Sequence, residues 1–319
     1  MTAAPPDSTH ATSSTHATNI THATNDAVAR IDPLWWSWEG AHGGHVAATA
    51  LAAVRDRATD GGIRPARALT THFLAPVDAR PIALSMTLPS AGRRVSTCAF
   101  TGHQDGKPVL VGSAVFGPGR PGPSYEGRTA PEVPRPGDCP LLDLPVGLAP
   151  FAKQVELRPA TEDLPLAGGE KAELLAWVRF ADDRPLDAGA VVTLTDVLPP
   201  ALYARWRTPR PVPTAELTVH FTDALDAGAS EGWALVRIRT EQAGSGWAID
   251  DSAVWSADGR LLAVARQARV VQGAQGKGVQ GEGVQGEGVQ DKDVQDKDVQ
   301  DKDPGDERAA LSGGLNHGN

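Results

Sequence analysis

Apolar and polar positions alternate most cleanly over residues 214–221. Ala215, Leu217, Val219 and Phe221 share one face, and Thr214, Glu216, Thr218 and His220 share the other. This period of two predicts a half-buried β-strand. A matching segment, ALTTHFL, surrounds Thr71-His72-Phe73; a strand-rich stretch follows it, ending in Asp105-Gly106-Lys107 and the apolar run Val109 to Phe116. Behind Val219-His220-Phe221 come strand-like WALVRIRT, a turn at Asp258-Gly259-Arg260, and LLAVARQARVV. The two series are copies, 148 residues apart at the His-Phe pair and 153 apart at the Asp-Gly turn, so a small loop insertion separates them.

Each copy places a helix ahead of its strands. In the first, Gly43-Gly44-His45 opens VAATALAAVRDRA, whose Ala and Leu favour helix and whose glycines permit close packing at its start. In the second, Asp187 caps a helix through AGAVVTLTDVL, which Pro199-Pro200 should end or kink, and which carries Asp196 among apolar residues. Helix followed by long antiparallel strands, twice over, predicts an α+β fold in which a sheet wraps one long helix per copy.

The chain of 319 residues then divides into a low-complexity leader (1–30), a first unit (31–120), a Pro- and Gly-rich linker (121–150), a second unit (151–271) and a repetitive acidic tail (272–319). The leader repeats THAT three times; the tail repeats VQGEG and then VQDKD, a five-residue period that suits neither helix nor strand. Both are expected to be disordered, since neither holds enough apolar surface to offset the entropy of ordering. The formal net charge is −9, of which the leader holds −1 and the tail −5, so residues 31–271 carry −3. A nearly neutral folded part has no basic stripe for nucleic acid and no polybasic membrane patch. Mean hydropathy is −0.26, and no window approaches the roughly 18 consecutive apolar residues of a membrane span. The start lacks a secretory pattern, and Cys98 and Cys139 have no metal-type spacing, which together lead us to expect a cytoplasmic chain without a disulfide framework.

Taken in order, GGHVAATAL, THFLAPVDARPI, VSTCAFTGHQDGKPVLVGSAVF, LTDVLPPAL, PTAELTVHF and ADGRLLAVARQ resemble the TesB-like (type II) acyl-CoA thioesterases over about residues 35–271. The resemblance implies a double hotdog fold, an acyl-CoA substrate, no cofactor, and assembly of homo-oligomers (dimers or tetramers). It also implies catalysis by an Asp, a Thr and a Gln that position a water. Carried over motif by motif, these fall on Asp196, Thr214 and Gln267; Thr218 fits less well than Thr214 because it shifts the alignment of VHF.

The chemistry asks for such groups: a water aimed at the thioester carbonyl, an acceptor for its proton, and donors where oxyanion charge develops. Burial raises a carboxyl pKa and donor bonds lower it, so the sequence leaves the basicity of Asp196 open. Thr214 is also a common strand residue, while Gln267 is in phase with Leu261, Ala263 and Ala265 and so either turns inward or ends an exposed strand. Backbone N–H groups near Gly43, Gly44 and His45 are candidate substrate contacts, because a helix start leaves amides unpaired. His42, His45, His72 and His220 lack the carboxylates and spacing of a metal site, and no metal is expected. Trp35, Trp36 and Trp38 suit either an acyl-pocket wall or the core. The first copy has no acid between Gly43 and Arg55, so one site per chain is expected. Two other readings stay open: an acyl-thioester dehydratase or hydratase with His42 or His45 as base and Asp196 as its partner, and a non-catalytic acyl-CoA-binding protein.

Overall fold

The structure, a computed structural model, describes residues 20–23, 26–38, 40–58, 64–144, 147 and 149–273. The first two THAT repeats and the pentapeptide repeats of the tail lie outside them. In chain order come β1 (Ile20–Ala23), β2 (Asp26–Ala29), the two-residue strands β3 (Trp36–Ser37) and β4 (Gly40–Ala41), helix α1 (Gly43–Ala58), and strands β5 (Ala66–Phe73), β6 (Ile82–Ala91), β7 (Ser96–Gln104) and β8 (Lys107–Phe116). The second half holds β9 (Val155–Pro159), β10 (Glu173–Phe180), helix α2 (Ala188–Leu194), β11 (Thr214–Phe221), β12 (Ala234–Gly244), β13 (Trp247–Ser256) and β14 (Leu261–Val270).

Twelve strands form one antiparallel sheet in the order β1-β2-β6-β7-β8-β5-β11-β14-β13-β12-β10-β9. The halves join where β5 pairs with β11, and the register there explains the repeat. Leu69 faces Val219, Thr70 faces Thr218 and Thr71 faces Leu217, so shifting either partner by 148 residues maps the pairing onto itself. A local twofold axis therefore passes between Thr70 and Thr218, whose hydroxyl oxygens lie 2.9 Å apart.

Helix α1 is apolar around most of its circumference. Val46, Ala47, Ala50, Leu51, Ala53 and Val54 are all buried, as a helix enclosed by a sheet requires. The small Ala side chains let the curved β5–β8 layer close on it. The α+β arrangement is the one expected. In the second half the helix is shorter than the sequence suggests: it stops at Leu194, well before Pro199. Thr195 closes it, with its hydroxyl donating to the Val192 carbonyl at 2.7 Å, and Asp196 N–H bonds Thr193 O at 3.2 Å in a tighter turn. Asp196 therefore sits just beyond the helix and not within it.

Two further features differ from the sequence reading. Asp26–Ala29, assigned to the structureless leader, pair with β6 and bury Ala27 and Ala29, because a short alternating strand gains its stability from a neighbouring sheet edge and not from its own composition. The Pro-rich segment also covers the outer face of the second half of the sheet. Its carbonyls at Pro134 and Arg128 accept from the indoles of Trp177 (2.9 Å) and Trp255 (3.3 Å). That cover explains why β10 and β13 are buried on both faces.

Gly112 of β8 is the tightest backbone approach near the joint. A Cβ there would meet Thr70 O at 2.1 Å and Phe100 Cζ at 2.5 Å. Gly112→Ala should cost about 1–3 kcal/mol through overpacking, read as a lowered urea midpoint with an unchanged slope.

Candidate functional site

The local sequence rules of β11 and β14 place the polar cluster. On β14, Ala263, Ala265, Gln267 and Arg269 are buried while Arg266 is exposed. The inward face thus carries small residues and then two polar ones. On β11 simple alternation puts Thr214 on the outer face with Glu216, but a β-bulge between Thr214 and Glu216 brings Thr214 opposite Arg269. The extra residue, Ala215, reverses the direction of the side chain before it, as bulges do beside active sites. Thr214 consequently points inward.

Asp196, Gln267 and Arg269 form one bonded group. The Asp196 Oδ1 accepts from Gln267 Nε2 at 2.6 Å and from Arg269 Nη2 at 2.9 Å, and Oδ2 accepts from the Gly44 backbone N–H at 2.9 Å. Arg269 Nη2 also donates to Gln267 Oε1 at 2.5 Å, which fixes the orientation of the amide. Arg269 Nη1 donates to Thr214 Oγ1 at 2.9 Å. Behind the guanidinium, its Nε lies 2.8 Å from Asp250 Oδ2, an ion pair off the hydrogen-bond direction, and Asp250 Oδ1 accepts from the Thr240 hydroxyl at 2.6 Å. Thr214 thus reaches Asp196 through Arg269. A guanidinium only donates, so the Thr214 oxygen is the acceptor in that bond and its proton is free to be given to a ligand.

Arg269 was not among the expected residues. Its signal was present in the sequence: it stands two positions after Gln267, in the same inward phase, a charge on a face otherwise made of Leu and Ala. It also bears on Asp196. Burial pushes the Asp196 carboxyl up, but the Arg269 charge, His42, the Gln267 bond and the Gly44 N–H act against it and hold the group below the ordinary carboxylate range.

The glycines act by proximity. A Cβ on Gly44 would lie 2.8 Å from Asp196 Cβ and 3.0 Å from Thr193 O, so only glycine lets α1 approach the turn after α2. Of the three expected substrate contacts, Gly43 lines the cavity while Gly44 and His45 do not. The Gly44 amide is held by Asp196, and the His45 amide donates to His42 Nδ1 at 3.1 Å, so His42 caps the helix with its side chain. Val46 N–H bonds His42 O at 3.0 Å. Among the described residues Gly43 keeps the one first-turn amide without a partner.

Both histidines are neutral. His42 Nδ1 accepts, so the ring proton is on Nε2, which donates to the Asp196 carbonyl at 3.0 Å. Burial lowers its pKa. His45 stacks on Trp35 with ring centroids 4.2 Å apart, and burial first of all, with His42 and Arg184 beside it, takes its pKa down to about 3. The tryptophans divide: Trp35 is in the core, and Trp38 lines the cavity. His72 and His220 are exposed on the strand joint. Among the described residues no group of three or more His, Cys, Asp or Glu side chains is placed to hold a metal. Cys98 and Cys139 are free and buried.

Asp196, Thr214, His42, Gly43 and Arg269 end a cavity of about 550 Å³ whose walls include Phe73, Phe151, Leu198, Tyr203, Val212 and several prolines. Gln267 is fully buried behind Asp196. Asp196 retains lone-pair capacity on Oδ2, so the arrangement is a fixed, charged acceptor at the polar end of an apolar pocket.

Because Asp196 is depressed, its ionised form is stabilised by folding at every pH above the unfolded value. That contribution is lost only as pH falls through the lower folded value. Replacing Arg269 by Met leaves burial dominant, so the Asp196 pKa should rise above its unfolded value. The variant should lose about 3–5 kcal/mol at neutral pH and should become less stable as pH rises above the unfolded carboxylate value. Chemical denaturation of both proteins at several pH values measures this difference.

Residues 32–117 match the family model of the acyl-CoA thioesterase N-terminal domain, and residues 134–271 match that of the acyl-CoA thioesterase C-terminal domain. A search of curated proteins found no match. Among solved structures, a conserved protein of unknown function with a hot dog fold from Alicyclobacillus acidocaldarius is 26% identical with a TM-score of 0.74, over 81% of this chain and 97% of that one. The acyl-CoA thioesterase II TesB2 of Mycobacterium marinum is 19% identical with a TM-score of 0.62, over 80% and 96%. The tesB protein of Mycobacterium avium subs paratuberculosis is 21% identical with a TM-score of 0.63, over 80% and 96%. The wrapped-helix architecture is thus a double hotdog.

Proposed function

The chain belongs to the TesB-like acyl-CoA thioesterase family, and from that premise we propose that it hydrolyses an acyl-CoA to the free acid and CoA with Asp196 holding the attacking water. The observation that carries this reading is the Asp196 carboxylate at the polar end of the cavity, with three donors bound and acceptor capacity left over.

In this reading one water proton is held by Asp196 Oδ2, and the Thr214 hydroxyl donates to one of the water's lone pairs. The other lone pair is aimed at the thioester carbon. A depressed carboxylate is a weak base, so its main contribution is orientation, together with acceptance of positive charge as the water attacks. The Gly43 N–H, at the positive end of α1, receives the developing oxyanion. Collapse of the tetrahedral intermediate breaks the C–S bond. The leaving group is a thiol, far more acidic than an alcohol, so it departs as thiolate without a strong acid and then takes up the proton released by the water. Among the described residues the Gln267 side chain hydrogen-bonds Asp196 and Arg269 and does not line the cavity, so in this reading it is a positioning residue.

A hydratase using His42 or His45 as base is disfavoured. Both ring nitrogens of His42 are engaged, and His45 is stacked in the core away from the cavity. A purely acyl-CoA-binding role is separated from hydrolysis by a thiol-release assay across acyl chain lengths.

Asp196→Asn should lower thiol release at least about 100-fold, and Thr214→Val about ten- to a hundredfold. With an enoyl-CoA any absorbance change should be matched by release of thiol. Binding of acyl-CoA with no thiol release by the unaltered protein at any chain length would replace hydrolysis with the binding role; hydration of the enoyl substrate would favour the hydratase.

A further inference from the structure

Between Asp196 and Glu216 the chain holds no acid and three arginines, Arg205, Arg207 and Arg210. This segment is also a wall of the cavity, which Tyr203, Pro209, Pro211, Val212 and Pro213 line. It is anchored to a second wall. Leu166 N–H bonds Tyr203 O at 2.7 Å, Gly168 N–H bonds Trp206 O at 3.2 Å, and Gly169 N–H bonds Ala204 O at 2.8 Å, while Pro165 and Leu166 line the cavity from that side. Gly168 has φ +72°, and a Cβ on it would meet the Arg207 guanidinium at 2.6 Å. Arg207 is thus seated over the junction of the two walls. Arg205 and Arg207 are exposed. Arg210 lies over the Trp206 ring at 5.0 Å, with its Nε buried and without a hydrogen-bond partner among the described residues. Among the described residues none of the three forms an ion pair with an acid; the same holds of Arg30, Arg64, Arg93, Arg94, Arg120, Arg135 and Arg237, but none of these stands on the segment that walls the cavity.

We propose that Arg205, Arg207 and Arg210 on the cavity rim bind the phosphates of the nucleotide end of CoA, so that the carrier is gripped at the rim while the acyl group enters the apolar cavity. The inference rests on the thioesterase reading for its ligand. The physical reason is local: three guanidinium groups without an acidic partner fall within six residues of one acid-free rim segment, and guanidinium geometry matches phosphate oxygens. The thioester is then placed by two separate anchors, one polyanionic and one apolar.

The test compares a double variant, Arg205→Gln with Arg207→Gln, with the unaltered protein. Both positions are exposed, so the melting temperature should be unchanged. KM for an acyl-CoA should rise about tenfold, equal to about 1.4 kcal/mol, with kcat retained, and the KM of the unaltered protein should rise with added salt more steeply than that of the variant. The S-acyl pantetheine carrying the same acyl group lacks the phosphates, and its KM should differ less than twofold between the two proteins. By calorimetry, free CoA should bind the variant about tenfold more weakly, with dephospho-CoA showing a smaller loss. Equal effects on the CoA and pantetheine thioesters, no effect on either, or an effect confined to an acyl carrier protein substrate would overturn the proposal. If no thioester is hydrolysed by either protein but CoA binding still depends on the arginines, the hydrolytic reading fails and the phosphate site stands.

Discussion

The pairing of Arg269 with Asp196 is the contact on which the rest of the site depends. Two buried groups of opposite charge lie 2.9 Å apart, and each would be costly alone. The guanidinium is nearly saturated: Asp196, Gln267, Thr214 and Asp250 surround it on three strands and one turn. A planar group with its donors so distributed has one position, and its partners inherit it. It therefore keeps Asp196 ionised inside an apolar pocket and holds Thr214 beside it.

That arrangement follows from backbone devices more than from the polar residues themselves. The bulge at Ala215 turns Thr214 inward. Gly44 lets α1 reach the turn after α2, so that a backbone amide can bond the carboxylate. Thr195 ends α2 early, leaving Asp196 on a turn where its side chain projects into the cavity. The helix start contributes again through His42, whose ring caps α1 on one side and donates to the Asp196 carbonyl on the other. Both halves of the chain thus contribute to one site, although the repeat alone gives two equivalent grooves. The asymmetry comes from Asp196, which has no counterpart between Gly43 and Arg55 in the first half.

The duplication also determines how the halves meet. Equivalent strands β5 and β11 pair about a local twofold axis at Thr70 and Thr218, so the sheet continues without an edge at the joint. An edge buried in this way cannot recruit another chain. The segment that connects the halves is used as well, since its carbonyls satisfy the indoles of Trp177 and Trp255 on the outer sheet face. Gly and Pro content marks it as irregular, and irregular backbone can still cover apolar surface.

The sequence by itself determined the wrapped-helix α+β architecture, the twofold repeat and its offset, the cap at Asp187, and the common phase of Gln267 with Ala263 and Ala265, though not whether that phase faces inward. Each of these is written in short-range periodicity or in composition, which pleat and helix geometry translate directly. The nearness of Asp196 to Gln267 was legible only through family resemblance, because 71 residues separate them. Four things belonged to the tertiary structure: the inward turn of Thr214, the early end of α2, the strand formed by Asp26–Ala29, and the role of Arg269. A bulge, a helix stop and an added edge strand are decided by what the neighbouring strands leave unpaired. The pKa of a buried acid is likewise decided by which charge the fold brings beside it, and neither is a property of the local sequence.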